Sequence, residues 1–150
     1  MVDFFSEAKT VQYPNTEVFQ ILSDLRNLRY LKDHVPEDGS MDKLDKFQFE
    51  EDSCSVSVDP VGSVKFNVVD RQPDSLIKLE AEKTPFALHL FIEIGQISEN
   101  ETRLQVVAKA ELNAFIKTMV SKPLQKAVDT MVEMISLMPY DEVKNQNSEQ

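Results

Sequence analysis

Phe4, Ser6, Ala8 and Thr10 alternate with Phe5, Glu7 and Lys9, a period of two that predicts a strand over Phe4 to Thr10. Pro14-Asn15-Thr16-Glu17 then reads as a helix start, with Asn15 or Thr16 as cap and an acid in the first turn. Val18, Ile21, Leu22 and Leu25 follow at helical spacing. Asn27 opens a second short helix carrying Leu28 and Leu31, stopped before Pro36. Pro36 to Ser40 is a loop by composition.

From Phe47 to Leu112 the period returns to two. Six segments each carry one apolar face: Phe47 and Phe49; Cys54, Val56 and Val58; Val64, Phe66 and Val68; Ile77, Leu79 and Ala81; Leu88 to Ile94; Leu104 to Leu112. Such strands belong in an antiparallel sheet with one side buried. Short turn-forming stretches at Asp59–Gly62, Gln72–Ser75 and Ser98–Glu101 make neighbouring strands hairpin partners.

The last element is helical. At ~100° per residue, Leu124, Ala127, Val128, Met131, Val132, Met134, Ile135 and Met138 share one face, and Leu137 is the apolar exception. Pro139 ends this helix, and 141–150 is polar enough to form a disordered tail behind a single domain over 1–140. Phe115, Ile116, Met119 and Val120 form an earlier stripe, out of phase with the main one by roughly 110°. That mismatch predicts a separate short helix or lip over Phe115 to Val120, broken near Lys122-Pro123, with Ser121 the better capping side chain. Lys117, Lys122 and Lys126 give this stretch a local basic character suited to an anionic head group or a membrane surface.

The order strand, two helices, six-strand meander, long helix resembles the START-like (SRPBCC) superfamily, with its pollen allergens, polyketide cyclases and steroid-transfer domains. Leu22-Ser23-Asp24-Leu25, Ser57 to Gly62 and Val120-Ser121-Lys122-Pro123-Leu124 carry the likeness, which is strongest to small uncharacterised bacterial members. The resemblance implies an α+β helix-grip fold, a seven-stranded antiparallel sheet (β-α-α-β6-α) wrapped around a long C-terminal helix. It also implies a ligand space between sheet and helix. The glycine-rich loop of many plant relatives is absent, and Asp52-Ser53 stands there instead.

Charge narrows the partners. A formal net charge of −10 argues against nucleic acid, whose phosphates require clustered Lys and Arg. No apolar run reaches the roughly 18 residues of a transmembrane segment, and Met1-Val2-Asp3 opens without a secretory pattern. The single Cys54 excludes an internal disulfide, which together with the missing signal predicts a cytoplasmic protein.

Candidate chemistry is sparse. Three glycines stand in no phosphate-cradling pattern, and His34, His89 and Cys54 lack metal-ligand spacing, so no cofactor and no metal are expected. The acids fall on turns and outward phases, where paired catalytic carboxylates would have no substrate between them. Among strand positions, the inward polar set is Ser6 and Thr10.

The expected ligand-binding residues are therefore apolar: Tyr30 from the helical region, Phe66, Leu79, Leu90, Ile92, Val106 and Ala108 from the sheet. Phe115, Met119, Leu124, Met131 and Ile135 join them from the C-terminal helix. Either they surround a small lipid-like or polycyclic molecule, or they close on one another as a filled core. The competing functions are a cyclase- or dehydratase-like enzyme, for which Tyr30 is the best inward group, and a protein-interaction module. Phe5, Phe91 and Val107 share the outward phase of neighbouring strands, an exposed apolar patch suited to a homodimer.

Overall fold

A computed structural model describes residues 1–29, 47–58 and 62–143, the side chain of Val58 excepted. The strands are β1 (Val2–Phe5), β2 (Lys9–Val11), β3 (Phe47–Phe49), β4 (Ser53–Val58), β5 (Gly62–Gln72), β6 (Leu76–Glu82), β7 (Leu88–Ser98) and β8 (Glu101–Ala110). Helices α1 (Asn15–Leu22) and α2 (Ala114–Ser136) flank them, with a 3-10 turn at Leu25–Arg29. All strand pairs are antiparallel, in the order β1-β8-β7-β6-β5-β4-β3, and β2 also pairs with β8. The chain is an α+β helix-grip: α2 lies in the concave face, touching β8, β1 and β2 on one side and β4 on the other.

β1 and β2 are two halves of one interrupted edge strand. Phe5 pairs with Val107 and Lys9 with Leu104, so one extra residue sits between the halves. Ser6 is buried at the break: its N–H donates to Val106 O (2.9 Å), and its hydroxyl accepts from Val106 N–H (2.9 Å). A bulge inverts the side-chain phase. Thr10, expected inward, is therefore exposed, and Val11 is buried in its place.

Helix starts also differ from expectation. Pro14 occupies the α1 cap position without a side-chain cap, and the Asn15 amide instead donates to Asp74 O (3.2 Å). The expected break in the C-terminal helix does not occur. α2 is continuous from Ala114 to Ser136 with Pro123 inside it, and Asn113 is the cap, its Oδ1 accepting from Ile116 N–H (2.8 Å). The angular conflict between the two stripes is resolved by exposure rather than by a break. Val120 and Leu124 are buried, whereas Phe115 is 75% and Met119 44% exposed.

The packed chain runs three residues into the expected tail. Residues 140–143 form a helical turn in which Tyr140 and Val143 are buried. The Tyr140 hydroxyl donates to Ile135 O (2.7 Å), and its ring meets Tyr13 edge-on at 5.3 Å. Leu137, between these contacts, is exposed.

Candidate functional site

Register places the inward side chains in rows across the sheet. Phe4, Ala108, Leu90 and Leu79 stand side by side on β1, β8, β7 and β6; Val106, Ile92 and Ile77 form the next row. Phe66 adjoins Cys54 and Phe49 on one side and Ala81 on the other. Phe66, Leu79, Leu90, Ile92, Val106, Ala108, Leu124, Met131 and Ile135 all belong to one buried cluster. Phe115 and Met119 do not, and Tyr30 lies outside the described residues.

The two ends of this interior differ. At one end α1 buries Val18, Ile21 and Leu22 against the sheet. Thr102 Oγ1 donates to Tyr13 O (2.7 Å) and Arg71 to Ser23 O (2.9 Å), fastening α1 beside the β5–β6 and β7–β8 hairpins. Ile77, Ile92, Ile94 and Leu104 fill that end. At the other end the sheet turns inward Ala81 and Ala110, the latter paired with Leu88 and Val2.

α2 bridges the two. Gln125 Nε2 donates to Phe5 O (2.8 Å), and Asp129 Oδ1 accepts from Glu7 N–H (3.4 Å). These two ties follow the same order along both segments, so α2 runs parallel to β1. Its first half lies toward the alanine end, where Ile116 is half-buried.

Electrostatically the interior is quiet. Among the described residues the buried titratable side chains are Cys54 and Tyr140. Burial pushes the Cys54 thiol up to about 12, and burial followed by the Tyr13 field raises Tyr140 well above an ordinary phenol. Both stay protonated at neutral pH and offer no base. The buried hydroxyls are spoken for: Ser53 donates to Glu50 (3.3 Å), Ser6 to Glu7 O (2.9 Å) and Thr102 to Tyr13 O. Among the described residues no three His, Cys, Asp or Glu converge on a common point. His89 is half-buried, 3.9 Å from Glu80, its partner on the neighbouring strand.

The outer sheet face departs from the expected apolar patch. Phe5, Val107 and Phe91 do form one cross-strand row. Val107 is buried between its aromatic neighbours, however, and Phe91 is half-buried beneath Lys78 and Lys109, whose ammonium groups lie 5.6 and 5.3 Å from its ring centre. Only Phe5 is open, so the surface expected to seat a second copy presents one exposed apolar side chain. A shallow depression of about 340 Å3 on the outside of α2 is lined by Lys122, Gln125, Lys126, Asp129, Thr130 and Glu133. It does not reach the interior.

No protein-family model matches the chain, and no curated protein matches it in sequence. Solved structures do match in shape. Norcoclaurine synthase from Thalictrum flavum superposes with a TM-score of 0.65 at 10% identity, over 90% of this chain and 85% of its own. A START superfamily protein from Mycobacterium smegmatis gives 0.53 at 10%, over 89% and 96%. The fold is START-like. A Thermus thermophilus protein of the same shape aligns at 0.61 and 13% identity, over 97% and 99%. At such identities the START-like likeness concerns backbone architecture alone. Among the described residues no helix is long and apolar enough to cross a membrane.

Proposed function

We propose that this protein binds a small apolar molecule, lipid-like or polycyclic, beneath the first half of α2 at the end of the sheet opposite α1. The observation that carries the reading is the set of small side chains Ala81, Ala108 and Ala110 on the inner face, interspersed with Phe4, Phe66, Leu88 and Leu90 away from α1. Small side chains give a ligand the least bulk to displace, and apolar walls with few polar groups are the usual lining of such sites. Met131 and Met134, buried on the face of α2 that closes the interior, adapt their shape to a guest better than branched side chains do. Phe66, Leu88, Ala110 and Leu124 form the walls in this reading, and Phe115 and Met119, on the outer side of α2, take no part in it.

The likeness to norcoclaurine synthase favours a second reading, an enzyme of cyclase or dehydratase type. General acid–base chemistry requires a titratable group with a tuned pKa in the pocket. Cys54, held as a thiol, is a poor candidate. We therefore rank binding first, and assign the protein to a reducing, cytoplasmic compartment on the strength of its lone buried thiol.

Native mass spectrometry of the purified protein, followed by solvent extraction, tests the assignment. An apolar mass retained in the native spectrum and recovered in the extract supports it. A protein that stays empty after exposure to a lipid extract contradicts it.

A further inference from the structure

We propose that the first half of α2 docks the protein on an anionic lipid surface. Phe115 and Met119 are 75% and 44% exposed, unusual for large apolar side chains in the same helix that buries Leu124, Val128 and Ile135. At ~100° per residue, Phe115, Met119, Lys122 and Lys126 lie within about 60° of one another on the outer side of α2. Lys117 takes the same angular position as the buried Leu124, yet it is exposed. The helix start therefore overhangs the core, and its inner side, which carries Lys117, is open as well as its outer side.

Charge selects the partner. The chain carries −10, but no Asp or Glu occurs from Ala114 to Lys126. Among the described residues none of Lys117, Lys122 and Lys126 enters an ion pair. Lys122 and Lys126 set positive charge beside Phe115 and Met119 on a protein otherwise repelled by anions, with Asp129 and Glu133 bordering them in the same surface depression. At physiological salt, charges farther than about 8 Å from the surface are largely screened, so the remaining acids oppose docking weakly. Asp129 and Glu133 follow on the same stripe and mark where contact ends; Asp129 is turned toward Gln125 (3.2 Å) and Glu7.

Phe and Met projecting beside lysines suit the boundary between acyl chains and head groups, where rings and thioethers enter and ammonium groups stay with phosphate. Three lysines are too few to hold a duplex against this net charge. Docking does not depend on an occupied chamber, so it stands or falls separately from the binding reading.

The test uses the intact protein and two kinds of vesicle, pure phosphatidylcholine and an equal mixture with phosphatidylglycerol. Cosedimentation is expected with the mixed vesicles only, weakening as salt rises. Each lysine near an anionic surface contributes about fivefold in affinity, so Lys122→Glu/Lys126→Glu should weaken binding about 25-fold. Phe115→Ser/Met119→Ser should weaken it about tenfold through lost insertion. The chain has no tryptophan, so Phe115→Trp introduces a lone reporter whose emission should shift to the blue on mixed vesicles. All four positions are exposed, and thermal melts check that the variants remain folded. Failure of the wild type to bind mixed vesicles at low salt overturns the proposal, as does binding indifferent to both multiple variants. Emission that stays unshifted when the Phe115→Trp variant is bound overturns it too.

Discussion

The hydroxyl of Ser6 accepts a hydrogen bond from the backbone N–H of Val106 at 2.9 Å, replacing a carbonyl that the bulge between β1 and β2 has displaced. Val106 is fully buried, so its N–H has no water to turn to. Ser6→Ala leaves that donor without a partner and should cost about 1–3 kcal/mol. Urea unfolding checks this; a loss within about 0.5 kcal/mol, typical of surface changes, would mean that the edge re-pairs without the hydroxyl.

Met131 belongs to the same buried cluster as Leu90, Ile92 and Val106. Met131→Lys brings an ammonium group into a space with no buried acid among the described residues. We expect a loss of about 3 kcal/mol or more, read as a lowered unfolding midpoint. Met131→Leu, which nearly conserves volume, should cost less than about 1.5 kcal/mol.

Cys54 links stability to alkaline pH. Its thiol is pushed from an ordinary 9.0 up to about 12 by burial. Between these values the unfolded chain releases a proton that the folded chain keeps, so folded stability falls as pH rises from about 9 toward 12. Tyr140, raised in the same direction by burial, adds to the loss above the ordinary phenol value of 10.0. Cys54→Ala should flatten the thiol's part of this decline. In the native protein at pH 8, a thiol reagent should label Cys54 only as fast as the molecule opens, and immediate labelling would contradict its burial.

The C-terminal turn closes the core. Tyr140→Phe removes the bond to Ile135 O at 2.7 Å and should cost about 1 kcal/mol in thermal or chemical unfolding. Truncation after Pro139 removes Tyr140 and Val143 together and should lower stability several-fold more. A truncated chain with unchanged melting would show that the turn merely rests on the surface.

Period-two alternation was enough to read β3 to β8, because each of these strands has one face against the core and one against water. The edge strand was legible only as far as Ser6. Beyond it a single inserted residue exchanges faces, and alternation alone does not reveal where that residue lies. Alternation likewise put Val107 outward but said nothing of its cross-strand neighbours, Phe5 and Phe91, which bury it. In α2 the two stripes stand where helical spacing puts them. The physical choice between breaking the helix at Pro123 and exposing Phe115 depends on where the sheet ends, which helical spacing does not contain. Asn113, one residue before the helix, is a cap residue by type and was the available signal for its start. The burial of Tyr140 and Val143 after Pro139 is a tertiary effect in a stretch whose composition is polar. The inward phase of Ala81, Ala108 and Ala110 was readable, but its meaning depended on α1 filling the opposite end.

The most direct test of an apolar binding chamber is a fluorescence titration of solvent-extracted protein with an apolar probe such as parinaric acid, alongside the variant Ala110→Leu. Saturation is expected at one probe per wild-type chain. Affinity should be at least about tenfold weaker in Ala110→Leu, whose added bulk occupies the same volume, if unfolding of that variant remains cooperative. A wild-type protein that shows no saturable binding, or a folded Ala110→Leu that binds as tightly as the wild type, would contradict a chamber beneath the first half of α2.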